Sequence, residues 1–410
     1  MMKESVRQMV YTADSQAFKR ALPLVVASAI TAYSLKHGPQ PLVPQIAASF
    51  SLVPAEGSLV VAAEMLGASV MLLVVMFCSA FMNRKKVTGY SLLAAGLLAV
   101  IASLVPSFPL LVVIRFIQGI LIGTFPALLT AYINEEFEER LTGRLIGLYL
   151  GSTAAGGLLG RFLSTLMSGF LSWRITLASL GAAGMVTAVF YLWFLPAPHH
   201  QESPHINSFR MLLPLFGDRR LLLLDVIGFA LMGSFAAIYT YMTFVLSDAP
   251  YFFSKTQLAP IFLFQICGTI SSALAGRWTD THGNGLIMRY ALVVLLAGAA
   301  ITLLPPAAAK CIGLGIFIAG MFAAHTAATG WIGRLPHIPK APATSLYMLS
   351  YYMGGSALSI LGGILYHAFG WVGVTAMILT AGALAMICCF LLTERNRVPA
   401  ADENRIHQSI

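Results

Sequence analysis

Val372 to Leu392 reads VGVTAMILTAGALAMICCFLL, a stretch without one charged residue and apolar on every side. A helix needs roughly 20 such residues to cross the hydrocarbon of a bilayer, and lipid offers no partner to the backbone of an open strand. The stretch therefore predicts a membrane-spanning helix. A transmembrane β-barrel would instead show segments of about ten residues alternating between lipid and a polar lumen. Working outward, comparable blocks occupy 17–37, 55–80, 88–105, 109–133, 143–168, 174–195, 221–246, 257–276, 287–304, 310–333 and 343–366, with the last at 371–393. Twelve spans nearly use up the 410 residues and leave no room for a soluble domain. Composition agrees: 58% of residues are hydrophobic, 10% are charged, and the mean hydropathy of +0.80 lies outside the soluble range. The expected class is an all-α polytopic membrane protein.

One long polar break, Pro196 to Arg220, separates six spans from six, the pattern of parallel repeats related by an axis along the membrane normal. It predicts a six-helix bundle over 1–195, a linker over 196–220, a second bundle over 221–395 and a tail over 396–410. His199, His200 and His205 in the linker look like a metal patch only superficially, because a Pro-containing tether has no fixed ligand geometry. No metal is expected. Cys78, Cys267, Cys311, Cys388 and Cys389 lack the spacing of a zinc site and read as small buried hydrophobes. With both ends cytoplasmic, most of the 25 Lys and Arg fall on cytoplasmic segments, while Lys36, Arg174, Lys255 and Lys310 lie near the other face. The positive-inside rule selects that orientation. The net charge of +9 then reflects anchoring, so no nucleic-acid partner is expected. Lys3, Arg7, Lys19 and Arg20 precede the first apolar run and no small-residue cleavage site follows it, so the first helix reads as a retained anchor. Trp173, Trp193, Trp278, Trp331 and Trp371 all fall near span ends, as interfacial rings should.

Arg115-Phe-Ile-Gln118-Gly119-Ile-Leu-Ile-Gly123-Thr-Phe-Pro126 resembles the fourth-helix motif R-x-x-Q-G-x-x-x-G-x-x-P of major facilitator superfamily (MFS) transporters. Gly276-Arg-Trp-Thr-Asp280-Thr-His-Gly283 is similar to that superfamily's G-x-L-x-D-R-x-G loop. Gln40-Pro-Leu-Val-Pro44, Gly156-Gly-Leu-Leu-Gly-Arg161, Ser172-Trp-Arg174, His325 and Tyr351-Tyr-Met-Gly-Gly355 resemble the YnfM-like and arabinose-efflux-like branch of bacterial inner-membrane exporters. The resemblance implies twelve transmembrane helices in two pseudo-symmetric six-helix bundles, a functional monomer and alternating access. Two departures stand out. Phe81 to Lys86 keeps the basic end of the Asp-containing loop but lacks its aspartate and glycines, and the antiporter-type G-P-x-x-G-G becomes Gly156 to Arg161, with Gly for Pro and Arg for the last Gly.

Charges inside hydrocarbon usually face a cavity or a partner, since a centred Arg, Lys or Asp costs about 2.5–3.5 kcal/mol on insertion scales. The clear cases are Glu64, Arg115 and Arg161. At 1.5 Å per residue, Glu64 lies about 14 Å deep and the two arginines about 10 Å. The expectation is that Glu64 pairs with at least one of these arginines. That pair is either a static packing device or a proton-coupling site whose protonation biases the direction in which the cavity opens. His325, near the middle of span ten, is either a hydrogen-bonded packing residue or a substrate contact or proton relay. Asp280 and Gly283 form a gating turn in which Asp280 pairs with Arg140 or Arg144, caps a helix, or is simply solvated. Glu135, Glu136, Glu138 and Glu139 read as a solvated acidic face, and Asp225 as satisfying the start of span seven.

Gly147, Gly151 and Ala155, together with Ser152, Gly156 and Gly160, would let span five approach a neighbour closely. Tyr33, Gln118, Tyr239, Gln265, His325, Tyr347 and Tyr351 are candidates for lining an amphipathic binding site. No phosphate-cradling loop is present, and one deep His with one deep carboxylate is too sparse for a membrane-embedded enzyme. The expected function is a proton-coupled secondary transporter that exports a small organic molecule, with no cofactor. Proton-coupled uptake and lipid flipping are the alternatives.

Overall fold

The computed structural model describes residues 11–12, 15–78, 82–198, 215, 217–336 and 338–395. The linker histidines His199, His200 and His205 and the tail 396–410 lie outside the described residues. The spanning helices are α1 (Gln16–His37), α2 (Pro54–Phe77), α3 (Arg84–Leu104), α4 (Phe108–Glu136), α5 (Glu139–Phe170), α6 (Trp173–Phe194), α7 (Arg219–Ser247), α8 (Lys255–His282), α9 (Asn284–Ile301), α10 (Ala307–Ile332), and α11 and α12, which share Lys340–Arg395. Gly370, at φ 61° and ψ −148°, divides that last helix into 340–369 and 371–395, a backbone conformation that favours glycine. Side-chain caps set the starts. Ser15 accepts from the amide of Phe18, Asn83 from that of Lys86, Ser172 from that of Ile175, and Asp218 from those of Arg220 and Leu221.

Nine stretches among the described residues are long and apolar enough to span by hydropathy alone, one of them being the undivided α11–α12. Only α1 and α5 fall short, because they carry Lys36, Arg161 and other polar groups. Both contribute to the lining of the central cavity, through Tyr33 and His37 on α1 and Tyr149, Gly157 and Arg161 on α5, so this polarity faces inward rather than towards lipid. Leu104, Phe170, Ile270 and Val372 are exposed on the outer surface, as lipid requires.

Close helix crossings fix heights within each half. A Cβ on Gly119 of α4 would sit 2.0 Å from the carbonyl oxygen of Glu64 on α2, so only glycine permits the contact. On α5, Gly156 and Gly160 lie against Ile30 and Ser34 of α1, whereas Gly147 and Gly151 have open space. One of the two small-residue stripes therefore packs. Trp193 and Trp278 are exposed, but Trp173, Trp331 and Trp371 are buried, and the indoles of Trp173 and Trp371 donate to Ser49 and Thr302. All five rings lie near helix ends, two of them turned outward and three packed inside.

The helical path does not end at His37. It turns at Gly38-Pro39 and continues as a short helical segment, Gln40–Leu42, into Val43–Ser49. The prolines of Gln40 to Pro44 kink the helix rather than end it, and Lys36 and Gln40 are consequently buried. Tyr11 is tied to the α4–α5 turn through the carbonyl oxygen of Glu136 and the amide of Glu138. Tyr11, the first described residue, and the end of α12 thus share one face, called here the terminal face.

Candidate functional site

A cavity of about 830 Å³ lies between the halves. Asn134, Thr130 and Pro126 of α4 and Lys340, Thr344 and Ser345 of α11 line its mouth, which therefore opens on the terminal face. Its closed end is formed by Tyr33, His37, Arg161, Gln265, His325, Tyr351 and Tyr352. Beyond them the halves touch. Gln40 Nε2 donates to the carbonyl oxygen of Ala236 and to Thr240 of α7, both at 3.1 Å. A Cβ on Gly363 would come within 2.4 Å of Ala55 Cα, and one on Gly355 within 2.4 Å of Met65 Sδ. The structure is open to the terminal face and shut to the other.

Arg161 sits at the apex and is 1% exposed. It donates from Nε to Gln40 Oε1 (2.8 Å), from Nη1 to Gln265 Oε1 (2.9 Å) and to the carbonyl oxygen of Gly157 (3.1 Å), and its Nη2 is 3.0 Å from His37 Nδ1. Its guanidinium carbon also lies 5.3 Å from the Phe235 ring centroid and 5.1 Å from that of Tyr239. Gln265 Nε2 in turn donates to the carbonyl oxygen of Ala154. One arginine thus ties α1, α5, α7 and α8 together across the two halves.

Glu64 pairs with neither arginine. Its partner is Lys36, with Nζ 3.8 Å from Oε1, and the two side chains are 3% and 1% exposed. The expected pairing fails because Lys36, assigned from hydropathy to the outer end of span one, is held at mid-depth by the kinked continuation of α1. Lys36 Nζ also lies 3.8 Å above the ring centroid of Tyr352 on α11. Glu64 Oε1 is buried without a hydrogen-bond partner.

Arg115 serves another purpose. Pro39 has no N–H, so the carbonyl of Leu35 loses its usual helical donor. Arg115 donates to it (3.4 Å) and to the carbonyl oxygens of Lys36 (3.1 Å) and Val60 (3.2 Å), and Gln118 Oε1 accepts from Nη1 (2.7 Å). Gln118 Nε2 donates on to the Ala95 carbonyl. Arg115 and Gln118 therefore stand behind the cavity wall and brace the α1 kink.

In the second half, His325 lines the cavity and its Nδ1 is 2.9 Å from the Tyr347 hydroxyl. The Tyr351 ring lies beside it at a centroid distance of 4.6 Å, tilted by 37°. Of the candidate lining residues, Tyr33, Gln265, His325 and Tyr351 reach the cavity, while Gln118, Tyr239 and Tyr347 stand behind it. Sequence reading gave no site role to Lys36, His37, Gln40, Tyr149, Phe235 and Tyr352, although Gln40 and Tyr352 stand in the quoted motifs. Asp225 is not the helix start, since Asp218 caps α7 and Asp225 lies buried further in, its Oδ1 without a hydrogen bond.

At the terminal face, Asp280 does not meet Arg140 or Arg144, which are exposed across the open cavity mouth. Asp280 Oδ1 accepts instead from Arg334 Nη2 at 2.6 Å, a pair within the second half. Gly283, at φ 80°, terminates α8. The acidic run is not a uniformly solvated face either: Glu135 binds Arg84 at 3.0 Å, and Glu136 is buried.

Two six-helix halves around a central cavity, open to one face and latched at the other, define a membrane carrier. The chain belongs to the Major Facilitator Superfamily, which it matches over residues 24–336. It is 32% identical over 364 residues to the uncharacterized MFS-type transporter YybF of Bacillus subtilis, covering 88% of this chain and 90% of that one. It is 30% identical over 381 residues to the inner membrane transport protein YnfM of Escherichia coli, covering 92% and 90%. Among solved structures it is similar to a bacterial homolog of the human lysosomal transporter Spinster, in an inward-facing and unoccupied conformation (TM-score 0.79, 13% identity, 94% of this chain and 100% of that one). It is also similar to the nucleoside transporter NupG (TM-score 0.71, 13% identity, 94% and 100%). The protein is a multi-pass membrane transporter, not an enzyme.

Proposed function

We propose that the protein is a proton-coupled exporter of a small organic molecule, acting as a monomer by alternating access in a bacterial inner membrane with both termini cytoplasmic. The orientation is supported by the Lys and Arg distribution, which makes the open face of the cavity the cytoplasmic one. Export is supported by the motifs shared with the YnfM-like branch.

Proton coupling rests on the Lys36–Glu64 pair. Two opposite charges lie 3.8 Å apart in a low-dielectric interior, with one carboxylate oxygen free of hydrogen bonds, and the lysine also bears on Tyr352 of the other half. Protonating Glu64 removes the attraction that positions Lys36 and so changes a contact between the halves. A ligand as small as a proton shifts a conformational equilibrium only through such a differential interaction. His325, deep in the cavity, is a further candidate relay. Tyr33, Gln265 and Tyr351 belong to the substrate wall, and Asp280, Gly283, Arg140 and Arg144 to the face that must close in the opposite state.

Spin labels at Gly143→Cys and Thr281→Cys, in a background without the native cysteines, report the separation of the halves at the terminal face. Distance distributions in lipid are expected to differ between pH 5 and pH 9 and to coincide in Glu64→Gln. An unchanged pH response in a folded Glu64→Gln protein would remove Glu64 from the coupling step.

A further inference from the structure

Among the described residues, every group in hydrogen-bond contact with Arg161 is neutral. Gln40, Gln265 and the Gly157 carbonyl accept from it, and His37 accepts through Nδ1, which requires that ring to carry its proton on Nε2. Four of the five guanidinium N–H groups are engaged in this way, leaving one on Nη2 beside His37. No aspartate or glutamate is among the described residues that line the cavity, whereas Lys340 adds a second positive charge at the mouth. Glu64, the deep acid of the first half, is committed to Lys36 and is not part of the lining. A buried guanidinium without a counter-charge is costly, and a cleft with charges of one sign concentrates ligands of the other.

We infer that the substrate is an organic anion, a carboxylate-bearing molecule with an aromatic or apolar body. The inference rests on the transport reading above and narrows its substrate class. The anionic head sits at Arg161 Nη2 and His37 Nε2, which together offer two donors at the closed end of the cavity. The body lies against Phe235, Phe322, Met348 and Tyr351, which line the same cavity. Because Arg161 also holds Gln40 and Gln265, and Gln40 holds α7, an anion that competes for this guanidinium acts on the contacts that shut the far face. A cation meets repulsion at the same point, so charge selection works in both directions.

Three probes of one shape decide the charge class: 2-naphthoate, 2-naphthamide and 2-naphthylmethylamine. Binding to the purified full-length protein is read by ligand-induced thermal shift and by titration calorimetry at pH 7.5. Naphthoate is expected to bind at least about tenfold more tightly than the amide, and the amine more weakly still. Arg161→Gln is expected to abolish the preference. Should that variant fail to fold, Thr153→Glu places a carboxylate two helical turns away on the same face of α5 and is expected to weaken naphthoate selectively. Equal binding of the three probes, tighter binding of the amine, or no binding of naphthoate would overturn the inference. Naphthoate-dependent proton movement in proteoliposomes tests the transport reading separately: anion-selective binding without proton movement would leave the site standing and the coupling refuted.

Discussion

The two halves share one scaffold but build their interiors from different chemistry. The first half places Lys36, Glu64, Arg115 and Arg161 in its interior, each held by named partners. The second half meets them with rings. Phe235 lies 4.9 Å from Tyr239 and 5.8 Å from Phe322, and Tyr351 lies 4.6 Å from His325 and 5.6 Å from Tyr352. Charged networks are directional and fail when one partner leaves, whereas ring faces tolerate sliding and offer cations a weaker, less specific hold. A rocking carrier needs both properties. The first half carries the groups that can register a proton or an anion, and the second presents a surface against which they can be released and recaptured.

The sharpest way to break this contrast is to orphan a charge in the first half. Lys36→Met leaves Glu64 buried without its cation, which should cost about 3–5 kcal/mol. Thermal unfolding in detergent should show a large loss of stability, and the double variant Lys36→Met, Glu64→Gln should recover most of it, because the demand for a counter-charge goes with the carboxylate. A single variant as stable as the parent would mean that the pair contributes nothing, and the first half would then be held as the second is.

The matching change in the second half should matter less. Tyr347→Phe removes the hydroxyl bonded to His325 Nδ1 and keeps the ring packed on Gly228, so a loss of about 1 kcal/mol is expected. His325 still has the Tyr351 ring beside it. A loss as large as that of Lys36→Met would show that the second half also depends on a directional polar link, and that the division between charge and ring is too simple.

The fold was legible because hydrocarbon imposes one requirement over and over, and Val372 to Leu392 meets it in the open. The site was legible only where a residue type is anomalous in lipid. Glu64, Arg115, Arg161 and His325 all announce themselves in this way; the first three are buried in the interior and His325 lines the cavity. Their partners do not. Lys36 reads as a span end because the apolar window stops at His37 and three prolines follow, yet Arg115 supplies the donors that a proline kink needs, so the helix continues. The signal that could have found this was an arginine in span four without any deep acid to spare for it. Gln40 was hidden by the same misplaced boundary, and Tyr352 by the fact that a tyrosine is unremarkable until a lysine from another helix lies over its face. Asp225 looked like a cap only because Asp218, seven residues earlier, was assigned to the linker.

The smallest expected effect concerns the terminal face, where the sequence suggested that Asp280 reaches across to Arg140 or Arg144. Here it binds Arg334, and the side chains are 72% and 48% exposed, so solvent and salt screen most of the attraction. Exposed pairs of this kind contribute about 0–1 kcal/mol. Asp280→Asn should therefore lower thermal stability by less than about 0.5 kcal/mol, within the scatter of surface substitutions. The spin-label distances between Gly143→Cys and Thr281→Cys carry more information. If Asp280 acts only within the second half, Asp280→Asn leaves the distribution unchanged at every pH. If it also meets α5 when the terminal face closes, the closed population falls while stability stays the same, and the second half then contributes one charge to the cycle after all.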